Sequence, residues 1–591
     1  MTTPTPTKIV PDDLDSLPVI PKGWTWQGSQ QALAERIASS KKKIVMLEAE
    51  CGSGKSVIAT AAASAASKSA IVLIQSIQLQ EQYLKYLKGL VTMTGRAHDV
   101  CNLNPLVSAA EAPCTVGAKC SLRGTWTRSG IPLDVPACNY FRRKAAAAKA
   151  DISVQNYAYW LGETTGEGSI FDQRDWIICD EGHELDQILM QAAIVEFREA
   201  DLKAAKVSSR RFSEFTDMTT VRTWAKAARA RITDFNAKLI DTAVSLGIPL
   251  NHDTDRLDFS AEIQGIDNKA LFSLVRDLQV VRRLKDATAA IVTLKDSELD
   301  EWVWCPPDRS NKEWTARPIY GKYGFKRILN AAKEKVVIMS AYLAPDLLMR
   351  NLGLEPEDVD VIIAPPVFNR VRSPILYCPV TKVKYGMSRA QTDYLYAVMD
   401  RLIQHHDETK GLIHVPSIAM RDDLLRSTRH KQRILAYDGT ASTLWRSAAR
   451  HPSKDDAIDA FVAAAKPAIL LGQSISTGLD LPDIPKWQLV MKLSFPPTND
   501  PVIAKRMKVD KDFYRYHTIC QVVQAAGRVK RSQAHNGVTI ILDEQWSWFF
   551  AANRKHFPKW FMDSYRANGW DYFPKIKADL SKIAFSCGLA L

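Results

Sequence analysis

The run Ala49-Glu50-Cys51-Gly52-Ser53-Gly54-Lys55-Ser56 sets two glycines ahead of a lysine and a hydroxyl residue. A triphosphate needs those types in that order. Glycines let backbone amides approach the phosphates, a lysine reaches the β- and γ-phosphates, and a serine hydroxyl ligates Mg²⁺. The loop 49–56 is therefore the expected ATP cradle, with Lys55 on the phosphates and Ser56 on the metal. Ala49 stands where the strict pattern opens with glycine, so flanking elements must support the assignment. The apolar run Trp176-Ile177-Ile178-Cys179 ends in Asp180-Glu181-Gly182-His183, 125 residues beyond Lys55. Nucleotide hydrolysis needs one acid in the magnesium shell and another to activate water. Asp180 is the expected Mg²⁺ residue, Glu181 the general base, and His183 the sensor that couples the γ-phosphate to a second domain.

Four cysteines form a separate constellation. Cys101, Cys114, Cys120 and Cys138 fall in one insert, separated by 12, 5 and 17 residues, while the other six are scattered through strand-like or helical sequence. Structural zinc sites normally show close Cys pairs, and none occurs in this insert. Four irregularly spaced thiolates suit a cubane cluster as well as zinc, so spacing leaves the metal open. Beside Cys138 lie Tyr140, Phe141, Arg142, Arg143 and Lys144. Aromatics interleaved with cations suit single-stranded bases and phosphates, or equally a solvated helix end.

Short apolar strands alternating with helical stretches must hold these groups, which predicts an α/β fold with parallel sheets. Ile44–Leu47, Ala70–Ile74, Trp176–Cys179 and Val336–Ser340 form one set of candidates. Gly411–Val415, Ala468–Gly472, Gln488–Leu493 and Val538–Leu542 form another, so two α/β domains are expected. Residues 1–22 read as a Pro/Thr-rich flexible tail, 100–142 as the cysteine insert, and 195–300 as a helical insert with basic stretches such as Lys203, Lys206, Arg210 and Arg211. The first domain is then expected in three pieces, 23–99, 143–194 and 301–350, and the second over 351–591.

The 591 residues, 46% hydrophobic and 24% charged, exclude a disordered scaffold and allow about four domains. A net charge of +13 leans toward a polyanionic partner. No basic start followed by an apolar run opens the chain, and no stretch of about 18 uncharged apolar residues occurs. A cytoplasmic, monomeric, multidomain protein is expected, its cysteines reduced thiols or metal ligands rather than a disulfide framework.

These motifs, in their order, resemble the superfamily 2 helicases and within them the iron–sulfur XPD/DinG-like group. Trp26-Gln27-Gly28-Ser29-Gln30 is similar to the family's Q motif, which implies Gln30 as an adenine contact. Ser76, Leu79 and Gln82 resemble its first DNA-contacting motif, and Ser340-Ala341-Tyr342 stands where the family has Ser-Ala-Thr. Gly411 to Ser417 resembles motif IV, and Ser476-Thr477-Gly478-Leu479-Asp480-Leu481-Pro482 motif V, which places Gly478 and Asp480 at the nucleotide. Gln524-Ala525-Ala526-Gly527-Arg528-Val529-Lys530-Arg531 matches motif VI, the most specific of the set. Arg528 and Arg531, three apart, are expected on one helix face and at the γ-phosphate. Tyr342 and Gly182, the latter replacing a commoner alanine, depart from the pattern.

The resemblance implies two RecA-like domains, with an iron–sulfur insert and a helical Arch insert in the first. It implies ATP, Mg²⁺ and a [4Fe–4S] cluster on the four cysteines as cofactors. The expected activity is ATP-dependent 5′→3′ translocation on single-stranded DNA, opening a tailed or forked duplex or a DNA:RNA hybrid, in a bacterial, archaeal or phage-encoded and nucleoid-associated setting. Two other readings compete: an ATPase that remodels nucleoprotein with little unwinding, for example beside a phage or CRISPR system, and a nucleic-acid-binding redox sensor.

Overall fold

Buried apolar runs of about five residues build parallel sheets covered by helices on both faces, as β-branched strands without polar alternation require. The computed structural model describes residues 8–589 apart from 111, 113, 115–119, 127–131, 165–170, 172, 249, 252–255, 258–267, 308–312, 438–448, 452–453, 466, 474–480, 482–484 and 531–534. Among the described residues the first sheet runs in the order Val359–Ile363, Ile44–Glu48, Ala332–Ser340, Arg174–Cys179, Ala70–Ile74, Ile152–Asn156 and Val91–Met93. Alternate residues serve opposite faces: Ile44, Met46, Val336 and Ile338 join Phe325 and Leu189 in one core, whereas Val45, Leu47 and Val337 join Ile58 and Ala62 in the other.

Register decides where the chemistry sits. Glu48 pairs with Ser340, and Ile338 with Cys179, so the segments beginning at 49, 180 and 341 leave the same edge. That carboxyl edge is where open α/β sheets bind ligands. The second sheet is also parallel, in the order Ala449–His451, Ile434–Tyr437, Ile469–Gly472, Gly411–His414, Trp487–Val490, Val538–Asp543, Ile375–Thr381 and Tyr565–Arg566. The two-RecA-like architecture is therefore present.

Several boundaries differ from the expectation. Only the first seven residues of the supposed 1–22 tail lie outside the described chain. Val10, Leu14, Leu17, Val19 and Ile20 are buried against the first domain, and Glu35 accepts the backbone N–H groups of Ile9 and Val10. The prolines there space apolar residues along an extended strap rather than dissolving it. The first sheet runs past 350, because Val359–Ile363 adds beside Ile44–Glu48. Residues beyond 300 also return to the helical insert. Val195–Arg198, Glu313–Pro318 and Trp302–Cys305 form an antiparallel sheet under the helices Met218–Ser245 and Asn268–Val292.

Buried ion pairs join the domains, and one of them fixes the helix after motif Asp180–His183. Arg506, on the helix Pro501–Val509, is fully buried and meets Asp186 of the helix Leu185–Ala192 at 2.6 Å. Its guanidinium also lies over Phe513 at 4.1 Å and Tyr320 at 5.3 Å. Asp186 accepts a second hydrogen bond from Gly321 N at 2.7 Å. Removing one partner leaves the other charged, buried and unmatched. Arg506→Met is expected to destabilise the protein by about 3–5 kcal/mol, read as a lowered urea midpoint.

Candidate active site

The phosphate loop follows from its glycines. Gly52 has φ +79° and Gly54 φ +86°, backbone that side chains rarely adopt, and the helix Lys55–Ala65 begins immediately afterwards. Lys55 Nζ donates to the carbonyls of Ala49 (3.0 Å) and Glu50 (3.4 Å), so the loop holds its own cation. Gln30 braces the loop by donating Nε2 to Ser53 O at 3.0 Å and accepting from Gln27 N at 3.0 Å. Its amide thus holds the phosphate loop while the side chain lines the cleft.

That cleft, about 630 Å³, has an apolar end with Leu14, Trp24 and Leu87 and a polar end with Lys55, Ser56, Asp180 and Glu181. Two buried polar atoms in this region, Ser53 Oγ and Gln82 Nε2, have no hydrogen-bond partner. Orphaned polar atoms beside a glycine-rich loop fit a polar ligand. Ser56 and Asp180 share the polar end, which suits Mg²⁺, an ion that keeps most of its waters and takes one or two protein oxygens. When bound there it would neutralise charge on the phosphates.

Asp180 is fully oriented. Tyr83 donates its hydroxyl to Oδ2 at 2.8 Å, Glu181 N donates to Oδ1 at 2.8 Å, and Tyr157 donates to the backbone carbonyl at 2.9 Å. Burial, then the neighbouring Glu181, push its carboxyl above the ordinary range, with Lys55 opposing. Tyr83 and Tyr157 were missed in the sequence; nothing in the spacing of two tyrosines 74 positions apart announces that both reach one aspartate. Glu181 is held at φ +49°, which is strained for a side-chain-bearing residue and re-aims its carboxylate off the strand.

His183 sits at a node between the sheets. Its Nδ1 lies 2.8 Å from Ser340 Oγ and 3.2 Å from Gln524 Nε2, and Glu181 is 3.4 Å away. Cys51 Sγ also lies 3.6 Å from Gln524 Oε1, so the Gln524 amide spans the phosphate loop and His183. Tyr516, also missed, donates its hydroxyl to His183 O at 3.4 Å and packs against Tyr342 with ring centroids 5.7 Å apart. Tyr342 is buried among residues of the second domain, Ile519 and Val523 included.

Motif VI corrects one expectation. The helix Lys511–Ala526 ends before Arg528, which therefore lies beyond it in the turn that follows. Gly527 turns the chain where a Cβ would approach Cys51 Sγ to 2.5 Å. Arg528 is buried, whereas Arg531, Gly478 and Asp480 lie outside the described residues. Ser76 caps the helix Ile77–Tyr86 and Leu79 is buried, so both serve that helix. His414 Nε2 donates to Gln488 Oε1 (2.8 Å), and burial pulls its pKa down to about 4, leaving it neutral.

The cysteine insert is less decided. Cys101 and Cys138 are buried, Cys114 and Cys120 half-buried, and Arg96 donates to Cys114 Sγ at 3.5 Å. Among the described residues no three Cys, His, Asp or Glu side chains are gathered to hold a metal, so this placement does not itself fit a cluster. Tyr140 and Phe141 do not face solvent for stacking on bases. They are buried in the first domain's core with Arg96 over both rings, at 4.7 and 5.1 Å. The adjacent Arg143 and Lys144 pair with Asp99 and Glu163.

Comparison with known proteins agrees with this geometry. A family model described as helicase C-terminal domain matches residues 400–564, and one described as type III restriction enzyme, res subunit, matches residues 25–204. A solved structure titled XPD_Helicase superposes with a TM-score of 0.55 at 16% identity, covering 90% of this chain and 98% of that one. The structure of S. tokodaii Xpd4 gives 0.48 at 14% identity, over 91% and 100%. No curated protein sequence matches the chain. The chain carries a helicase C-terminal domain and shares the fold of XPD_Helicase. It is an ATP-hydrolysing enzyme, and no described helix is long and apolar enough to cross a membrane.

The helicase's departure at Gly182 has a packing cause. A Cβ there would lie 2.4 Å from Ile338 Cγ2 and 3.1 Å from Leu343 Cδ2. Gly182→Ala is expected to cost about 1–3 kcal/mol by overpacking, seen as a lower melting temperature together with slower ATP hydrolysis.

Proposed function

We propose that this helicase hydrolyses ATP between its two sheets to move 5′→3′ along single-stranded DNA, opening tailed or forked duplex and DNA:RNA hybrid. The node His183–Ser340–Gln524 is the observation that carries this reading. It joins the loop bearing Asp180 and Glu181 to the motif VI helix, so a change at the γ-phosphate is felt in the second domain. Lys55 binds the phosphates, Ser56 and Asp180 hold Mg²⁺, Glu181 activates the attacking water and Arg528, with Arg531, stabilises the transferred charge. Gly478 and Asp480 complete the nucleotide contacts. Polarity, the DNA preference and the cytoplasmic setting come from the family resemblance.

A specific observation supports a second reading, an ATPase that remodels nucleoprotein with little unwinding. Tyr342 stands where the resemblance has a threonine and packs its ring on Tyr516, so coupling beyond Ser340 relies on that aromatic contact. Unwinding of labelled duplexes with either a 5′ or a 3′ tail decides between the two. We expect separation of the 5′-tailed duplex alone, lost in Lys55→Ala. DNA-stimulated hydrolysis without separation would select the second reading instead.

Cys101, Cys114, Cys120 and Cys138 are proposed to carry the [4Fe–4S] cluster that the resemblance implies, after rearranging from the placement described above. Anaerobically purified protein is expected to contain about four irons and four sulfides per chain. Stoichiometric zinc, or no metal, would remove the cluster from the assignment.

A further inference from the structure

Two motif positions, one in the phosphate loop and one in motif VI, carry opposite charges, and the fold brings them together. Glu50 is the second residue of the phosphate loop, and Lys530 stands between Arg528 and Arg531 in motif VI. Their side chains are 3% and 4% exposed and form an ion pair. The same carboxylate takes both terminal nitrogens of Arg370, at 2.6 and 3.0 Å, and the backbone N–H of Val367 at 3.4 Å. Arg370 lies on the crossing between Val359–Ile363 of the first sheet and Ile375–Thr381 of the second. The Lys530 ammonium is held between the rings of Phe368 (5.1 Å) and Trp560 (5.3 Å). One carboxylate thus ties together the phosphate loop, the interdomain crossing and motif VI.

Phosphate binding does not call for this carboxylate. An anion beside a triphosphate site repels its ligand unless neutralised, and here two cations neutralise it with one positive charge to spare. Burying three charges is a poor source of stability, because desolvation offsets the attraction; what such a group supplies is a fixed register. That register matters for the residue between the contacts. Gly527 is pressed against Cys51, and Lys530 is held on Glu50, so both flanks of Arg528 are tied to consecutive residues of the phosphate loop.

We propose that Glu50, Lys530 and Arg370 form an interdomain latch that positions Arg528 over the phosphate loop. Lys530 is then a positioning residue that itself stays on Glu50 and off the nucleotide. The inference rests on ATP being hydrolysed between the two domains.

Lys530→Met tests it, since Glu50 keeps Arg370 and no lone charge is buried. Methionine also suits the slot between Phe368 and Trp560. The expected result is a kcat for nucleic-acid-stimulated ATP hydrolysis lowered about tenfold, with affinity for a fluorescent ATP analogue within about threefold of the parent. Lys530→Arg should recover most of the turnover. Hydrogen exchange of the nucleotide-free protein should quicken over 366–372 and 527–530 in Lys530→Met. Parental kcat, or unchanged exchange, would overturn the latch. So would a loss confined to nucleotide affinity, which would make Lys530 a phosphate ligand. If the parent chain hydrolysed no ATP, the enzymatic reading would fall while the exchange comparison still judged the latch.

Discussion

Ser340 stands beside Glu48 in the parallel register of two adjacent strands, and the site follows from that pairing. It puts a hydroxyl at the sheet edge between the strand that feeds the phosphate loop and the strand that ends at Asp180. From there Ser340 Oγ reaches His183, and Gln524 completes the triangle from the other domain. A slip of one residue would turn Ser340 to the opposite face and leave His183 without its partner. Strict alternation of Val336 and Ile338 against Val337 and Met339, each pair in a different core, guards against that slip.

Much of this was readable in the sequence. The strands Ile44–Glu48, Ala70–Ile74 and Val538–Asp543 declare themselves as uninterrupted apolar runs, and loop and carboxylate motifs at their ends are local patterns. What escaped was decided by tertiary contact. Tyr83 and Tyr157 look like ordinary core aromatics until their hydroxyls meet Asp180. Tyr140 and Phe141 look like a base-stacking pair because aromatics beside arginines carry no mark of the side they face; a core needing large apolar groups claimed them. The N-terminal strap misled for a related reason. Proline and threonine dominate its composition, whereas burial depends on where Val10, Leu14 and Leu17 fall along it.

The motif VI segment leaves helical geometry before Arg528. Arginines three apart share a face only while the helix continues, and this helix stops at Ala526. Just beyond it, Cys51 of the phosphate loop leaves no room for a side chain at 527. Arg528 is therefore flanked by Gly527 against Cys51 and Lys530 on Glu50, rather than set by helical periodicity.

The charges between the domains also bear on how such an enzyme moves. A machine whose halves close and open in each cycle cannot join them as an apolar core cut in two, because separation would expose all of that surface at once. Asp186–Arg506 and Glu50–Lys530–Arg370 cross this boundary instead. Buried ion pairs contribute little net stability but penalise any misalignment heavily, since each displaced partner leaves a lone charge in a dry site. Such an interface is easier to part than an apolar one and harder to mis-seat. The Tyr342–Tyr516 contact adds a small apolar element beside the His183 node. Closure thus combines packing contacts with electrostatic registers, and of these Glu50–Lys530 lies on the segment that carries Arg528.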